Sequence, residues 1–346
     1  MKNKQTIGMI AMAAISIIFV VSLQLKQEET KTLQIYDVFD TYSELTIVSG
    51  KNSDKILQKC NLYLHEKDDK WSVTKPDSEI SALNSAAGKS AVVLSEDTID
   101  ILDKSINSSL DTNGFFDITV GALTKLWDIG GENPRVPTNE EITQAIHETG
   151  FGLLTVDKEN KTAELSKPGA SVTLGAIAKG YATQGILDIL KKEKVTSALL
   201  NLGGNIYVMG KREDGSAWNV GVQDPLDSNK LIGTLKVYDT GITTSGGYQR
   251  YFEEDGICYH HIINPYTGMP ANSGLLSVTV ISDDPVLADV LSTACFVIGY
   301  KESIALIREE GAKAIFVTDD NTVYYSSELK DFFEYDNPSY EYKAID

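Results

Sequence analysis

The stretch 244–270, TSGGYQRYFEEDGICYHHIINPYTGMP, leaves the chain few ways to run. A Ser-Gly-Gly turn at 245–247 feeds an aromatic run that ends at Phe252. The polar turn 253–256 sends the chain back through 257–263, where Asn264-Pro265 stops it. Gly268 and Pro270 then close the segment. Glycine and proline at these places are turn formers, so the pattern predicts a hairpin bounded by turns on both sides. His260 and His261 are adjacent in the return strand. Successive strand residues point to opposite faces, so one of the two faces any given pocket, and spacing leaves open which.

Around this hairpin, strand and helix patterns follow one another without a fixed period. Residues 32–51 alternate as two strands, and 53–66 has helical spacing with Ser53 placed as an N-cap. Residues 71–84 read as a loop leading into a short helical turn. A helix is expected over 97–110, with Ile99, Ile101, Leu102, Ile106 and Leu110 inward. Thr138 and Glu141 match a capping box ahead of a helix at 139–149. A hairpin at 154–165 and a helix at 176–191 come next. Strand-like runs follow at 198–209, 217–223, 231–238, 275–281, 314–318 and 323–325. Gly203-Gly204 inside the first of these implies a bulge or a close passage. The helix at 284–300 is strongly apolar, and another follows at 303–310. The acidic, aromatic tail 331–346 is expected to be peripheral. Strands and helices do not alternate regularly enough for a doubly wound sheet. Neither a Gly-x-Gly-x-x-Gly turn after the first strand nor a Walker loop is present. The expected architecture is therefore α+β or mixed α/β. It is a single interleaved domain over 31–330, with mixed sheets and flanking helices, and not a Rossmann fold.

Residues 1–30 are of a different composition. Lys2 and Lys4 precede an apolar run from 7 to 23, and Lys26 follows. A positive segment ahead of an apolar one is an export signal, and the run is at the short end for a membrane helix. No small-x-small cleavage site follows it and no cysteine is near, so an uncleaved signal-anchor is expected first and a cleaved signal peptide second. The charge order places the body on the outer face of the cell membrane. A net charge of -18 excludes non-specific nucleic-acid binding. Cys60, Cys258 and Cys295 form no close-spaced pair, and Cys60 and Cys295 sit in apolar helical patterns as buried hydrophobes.

Two constellations are able to carry chemistry. Asp289 and Thr293 lie four apart in the apolar helix and share one face. A carboxylate there is costly unless it is paired or holds a cation, and the pair offers oxygen ligands suited to Mg²⁺. A helix-edge aspartate with a back-bonded threonine explains the same residues. The segment 175–181, GAIAKGY, opens a helix with small residues that admit a ligand to free N–H groups, and Lys179 is placed to meet a phosphate. A small-residue packing face with a solvent lysine is equally consistent with it.

Several blocks in a fixed order resemble the ApbE family of bacterial flavin transferases. They are Phe39-Asp40-Thr41, Trp71-Ser72 with 77–84, 114–121 with Leu126-Trp127, 174–181 and 201–206. They continue through 244–252, His261-Ile262-Ile263-Asn264-Pro265 with Thr267-Gly268 and Pro270, and Ala288-Asp289 with Ser292-Thr293. The resemblance implies an enzyme that binds FAD and Mg²⁺ and moves FMN from FAD to a threonine hydroxyl of an acceptor flavoprotein, releasing AMP. It further implies that the acceptor lies outside the cytoplasm or in the membrane. By the same resemblance, Asp289, Thr293, Ser292 and the Ala176 carbonyl hold the metal. Phe39, Trp71, Gly121, Ala122, Thr173, Lys179 and Ile262 contact FAD, and His261 stands near the reacting phosphate as the base. Two positions depart from the family's pattern. Thr173 stands where many members carry Asp, and Asn264 replaces the Asp of His-Ile-x-Asp-Pro. An FAD pyrophosphatase, with water as acceptor, and a flavin-binding protein without turnover are the alternatives.

Overall fold

The run LLSVTVIS at Leu275–Ser282 is apolar on both faces, with Val278, Val280 and Ile281 all buried, so it belongs inside a sheet that is covered on both sides. The computed structural model, which describes residues 30–49, 52–335 and 337–346, places it there. In chain order the first strands are β1 (Lys31–Val38), β2 (Thr41–Ser49), β3 (Val92–Val93), β4 (Leu154–Asp157), β5 (Thr162–Leu165) and β6 (Ser197–Leu202). Then come β7 (Asn205–Met209), β8 (Trp218–Gln223), β9 (Leu231–Val237), β10 (Thr240–Gly246), β11 (Tyr251–Glu254) and β12 (Ile257–His260). The last are β13 (Leu275–Ser282), β14 (Lys313–Thr318), β15 (Thr322–Ser326), β16 (Phe333–Glu334) and β17 (Glu341–Ile345). The helices are α1 (Ser53–Trp71), α2 (Glu79–Ser85), α3 (Glu96–Asp111) and α4 (Gly121–Trp127). They continue with α5 (Asn139–His147), α6 (Ala178–Lys192), α7 (Pro285–Ile298) and α8 (Tyr300–Glu309).

The main sheet runs β1-β2-β6-β7-β10-β13-β14-β15-β17. Its pairs are antiparallel except β15 with β17, which is parallel. This is the mixed α+β arrangement expected, not a doubly wound sheet. One face, with Leu45, Leu200 and Val280, packs on α1, α6 and α7. The other, with Val208, Ile242 and Val317, packs on the small sheet β16-β9-β8. The hairpin β11–β12 stands outside the main sheet, and Phe252 and Tyr259 lean on Trp127 of α4.

Several expectations change. The first helix runs on to Trp71, which is its last residue and not part of a loop, and Asn52 rather than Ser53 occupies the N-cap. Leu110 faces solvent, at the end of α3 where the inward stripe has turned away. Gly203-Gly204 is a two-residue hairpin turn between β6 and β7, with φ of 58° and 91°, where the sequence suggested a bulge. The tail is not peripheral. β16 pairs with β9, β17 completes the main sheet, and Phe333 and Tyr340 are buried. Tyr340 donates to Asp224 Oδ1 at 2.7 Å. Tyr340→Phe is expected to cost about 1–3 kcal/mol, because the Asp224 carboxylate loses a donor in a buried place. Urea unfolding checks it. The capping box at Thr138–Glu141 forms as expected, and Cys60 and Cys295 are buried, with each thiol pushed up to about 12 by desolvation. Residues 1–29, which carry most of the expected leader, lie outside the described residues. No helix among the described residues is long and apolar enough to cross a membrane.

Candidate functional site

Three consecutive residues in the first turn of α6 gather the site. Gly180 offers its N–H to Asp289 Oδ2 at 2.8 Å. It is one of the first amides of the helix, which no carbonyl of that helix satisfies. A side chain at Gly180 would stand 2.4 Å from the Pro285 carbonyl, so glycine is what lets α6 meet α7. Pro285 at the start of α7, with Asp284 capping Val286 and Leu287, fixes where α7 begins and so where Asp289 falls. Asp289 is 3% exposed. On the same side, Ser245 of β10 bonds Ser292 at 2.8 Å and lies 3.4 Å from the Thr293 hydroxyl. Ser292 also donates to the Asp289 carbonyl. Ala176 sits in the turn just ahead of α6, where Ile177 has a non-helical φ of -145°. No group of three His, Cys, Asp or Glu side chains gathers for a metal among the described residues. What gathers instead is one carboxylate with the hydroxyls of Ser245, Ser292 and Thr293 on its side of the helix, and the Ala176 carbonyl lies one turn ahead of Gly180 in the chain. Among the described residues, no Lys or Arg forms an ion pair with Asp289, so its buried charge lacks a counter-charge. That set fits a hard cation such as Mg²⁺.

Lys179, the residue before Gly180, donates to the Gly175 carbonyl at 3.1 Å and acts electrostatically on His261. The two histidines now separate. His260 bonds the Ala271 carbonyl through Nε2 and receives the Ile262 N–H at Nδ1, and its ring meets Phe296 edge-on at 5.3 Å. Both its nitrogens are used, and burial pushes its pKa down. His261 Nδ1 lies 3.2 Å from the Arg250 carbonyl. A carbonyl only accepts, so Nδ1 carries the proton and Nε2 keeps the lone pair. Burial, with the charges of Arg250 and Lys179 adding to it, pushes the His261 pKa down to about 4. At neutral pH the ring is an uncharged base.

Tyr181, the residue after Gly180, meets the edge of Trp71 at 5.4 Å, and Trp71 stacks under Phe39 at 6.4 Å. Trp71 is buried and its indole N–H bonds Thr98, so the half-buried Phe39 is the ring nearer the surface. Phe39 and Asp40 form the β1–β2 turn at φ of 55° and 51°, a region that favours glycine. Asp68 receives the Phe39 N–H and Arg250 donates to the Asp40 carbonyl, which hold that turn. Gly121 bonds the Ser171 carbonyl, and any side chain there would collide with it at 2.4 Å. Thr173, half-buried, donates its N–H to the Ile118 carbonyl and so ties the entry to α6 to the segment before Gly121 and Ala122. Ile262 is buried beside α7. Asn264 Oδ1 caps the following turn through Tyr266 and Thr267, so this departure keeps its turn role. Sequence reasoning gave no role to Ser245 or Arg250, and it expected the N–H groups at this helix start to be free for a ligand, where Asp289 takes that of Gly180 and the Leu174 carbonyl that of Ala178. Ser245 and Arg250 stood in the hairpin segment, but only the packing shows what they touch.

The ApbE family model matches residues 39–316. The chain is 34% identical over 290 residues to the FAD:protein FMN transferase of Treponema pallidum, covering 80% of each. It is 31% identical over 293 residues to that of Escherichia coli K12, covering 82% of this chain and 84% of that one. Among solved structures it is similar to the ApbE protein of Thermotoga maritima, with a TM-score of 0.83 at 30% identity, covering 88% of this chain and 99% of that one. The flavin transferase ApbE of Vibrio cholerae gives a TM-score of 0.78 at 28% identity, covering 88% and 100%.

Proposed function

Since the chain belongs to the ApbE family and is a flavin transferase, we propose that it moves FMN from FAD to a threonine hydroxyl of an acceptor protein and releases AMP. The observation that carries this reading is the first turn of α6, where the Gly180 N–H meets Asp289 and Tyr181 meets Trp71, with the Lys179 charge near enough to act on His261. A base, a carboxylate with hydroxyl neighbours, and an aromatic wall thus meet at one helix start.

In the proposed reaction the threonine Oγ attacks the FMN-side phosphorus. The bond from that phosphorus to the oxygen of the AMP phosphate breaks, and the hydroxyl proton goes to His261 Nε2. Arg250 holds the tautomer that makes this transfer available. Lys179 is the cation placed to meet the phosphate that leaves, since the Ala178 and Gly180 amides at the same helix start are taken by the Leu174 carbonyl and Asp289. Asp289, Thr293, Ser292 and the Ala176 carbonyl would hold Mg²⁺, which when bound neutralises charge on the diphosphate as a Lewis acid. Phe39 over Trp71, with Gly121, Ala122, Thr173 and Ile262, supplies the walls for the rings and sugars. The leader pattern at 1–30 supports a membrane-attached enzyme whose body and acceptor lie outside the cytoplasm.

The purified protein, FAD, Mg²⁺ and a threonine-bearing acceptor domain test the reading. A covalent FMN mass on the acceptor with AMP in solution supports it. FMN and AMP released equally without acceptor assign a pyrophosphatase, and intact bound FAD assigns a binding protein. The pH profile makes a separate prediction. His261 is neutral above its folded pKa of about 4 and is lost as a base below it. For transfer, kcat/KM should hold level from pH 7 to 5 and fall with a midpoint about 4. A midpoint near 6.5 would place His261 in water.

A further inference from the structure

We infer that Asn205 is a further substrate-binding residue, its side-chain amide donating to an acceptor oxygen of bound FAD. The inference rests on the flavin reading of the site. Three buried side-chain atoms have no hydrogen-bond partner among the described residues: Ser43 Oγ, Asn205 Nδ2 and Ser277 Oγ. A buried donor with no acceptor is costly, and such a group in a folded protein asks for a reason. Ser277 pairs with Val317, so it lies on the face toward the small sheet, away from α6 and α7. Ser43 is fully buried beside Leu202. Ser43 shares the helix-covered face with Asn205, but Asn205 stands in the strand next to β10 and Ser43 two strands further away.

Asn205 pairs with Leu202 and alternates with Tyr207, which places it on the helix-covered face of the sheet. The pairing of Ile242 with Ile206 sets Thr243 beside Asn205. Ser245 is then the next residue of β10 on the same face, a diagonal neighbour roughly 7–8 Å from Asn205. Ser245 is the hydroxyl that bonds Ser292 and faces Thr293. The unpartnered amide therefore stands on the sheet floor beside the Asp289 constellation. The turn ahead of it is open, since a side chain at Gly204 would meet nothing within 4 Å. An N–H donor needs an oxygen or a ring nitrogen. FAD brings diphosphate oxygens and sugar hydroxyls to the place that the hydroxyl cluster and Asp289 mark out.

Asn205→Leu keeps the branched shape of the side chain and removes the donor. Melting of the metal-free protein and FAD affinity by fluorescence, with and without Mg²⁺, read the two consequences. The expected result is an unchanged or raised melting temperature, because an unmade hydrogen bond is removed, with FAD affinity about tenfold weaker or more. Wild-type affinity in the variant overturns the inference. A lowered melting temperature also overturns it, because it marks Asn205 as a packing residue. If the leucine variant does not fold, Asn205→Ala is read by FAD affinity alone, because the space it leaves lowers the melting temperature on either reading: affinity about tenfold weaker or more supports the inference and wild-type affinity overturns it. Wild-type protein that takes up no FAD in the same assay counts against the flavin reading itself, which keeps the two failures apart.

Discussion

Asp289→Asn is expected to lower FMN transfer by roughly a thousandfold, the several kcal/mol that a Lewis acid contributes at a phosphoryl centre, and to leave the protein folded. Asparagine has nearly the same shape and keeps an oxygen for the Gly180 N–H, so the α6–α7 junction survives. What it removes is the charge. That charge is 3% exposed and has no cationic side chain paired with it among the described residues. In the metal-free protein its removal relieves a desolvation cost, so the melting temperature should stay level or rise. Added Mg²⁺ should raise the melting temperature of the wild type, by the equivalent of about 2.7 kcal/mol at a hundred times its dissociation constant, and should not move the variant. Transfer is read by mass on the acceptor. A variant that keeps transfer within tenfold of wild type, or that gains as much stability from Mg²⁺, would remove Asp289 from the metal site.

What the sequence allowed to be read, and what it did not, follows from the range of each interaction. The capping box at Thr138, the hairpin β11–β12 and the apolar helix α7 rest on neighbours within a few residues, and each was legible. Asp289 and Thr293 share a helical face by spacing alone. That Asp289 meets Gly180, 109 residues away, depends on α6 and α7 crossing at a glycine, which no local pattern encodes. Gly203-Gly204 was legible as an interruption but not as a turn, because a bulge and a two-residue turn both call for glycine. The tail misled for a related reason. Its acidity reads as solvated, yet Phe333, Tyr340 and the strand β17 find partners in β9, Asp224 and β15, all supplied by tertiary structure. The choice between His260 and His261 could not be made from alternation, since alternation says that the two differ and not which way the pocket lies.

His261→Gln is expected to lower transfer about 10²–10⁴-fold, the range for losing a positioned general base, with little change in stability. Glutamine keeps an amide donor for the Arg250 carbonyl but offers no basic nitrogen where Nε2 stood. His260→Gln should behave the other way. Both His260 nitrogens are engaged inside the protein and its ring packs on Phe296, so its loss should cost about 1–3 kcal/mol of stability and reduce transfer only as far as the site is loosened. Parallel urea unfolding and single-turnover transfer measure the pair. The contrast matters more than either number, because the two residues are neighbours in sequence and any general disturbance of the hairpin would reach both. If His260→Gln abolished transfer in a stable protein while His261→Gln kept it, the tautomer imposed by the Arg250 carbonyl would have no part in the chemistry. The base would then have to be sought on the other face of the hairpin. If His261→Gln alone fails, and the wild-type kcat/KM turns over near pH 4, the same ring is fixed by two measurements that share no assumption about folding.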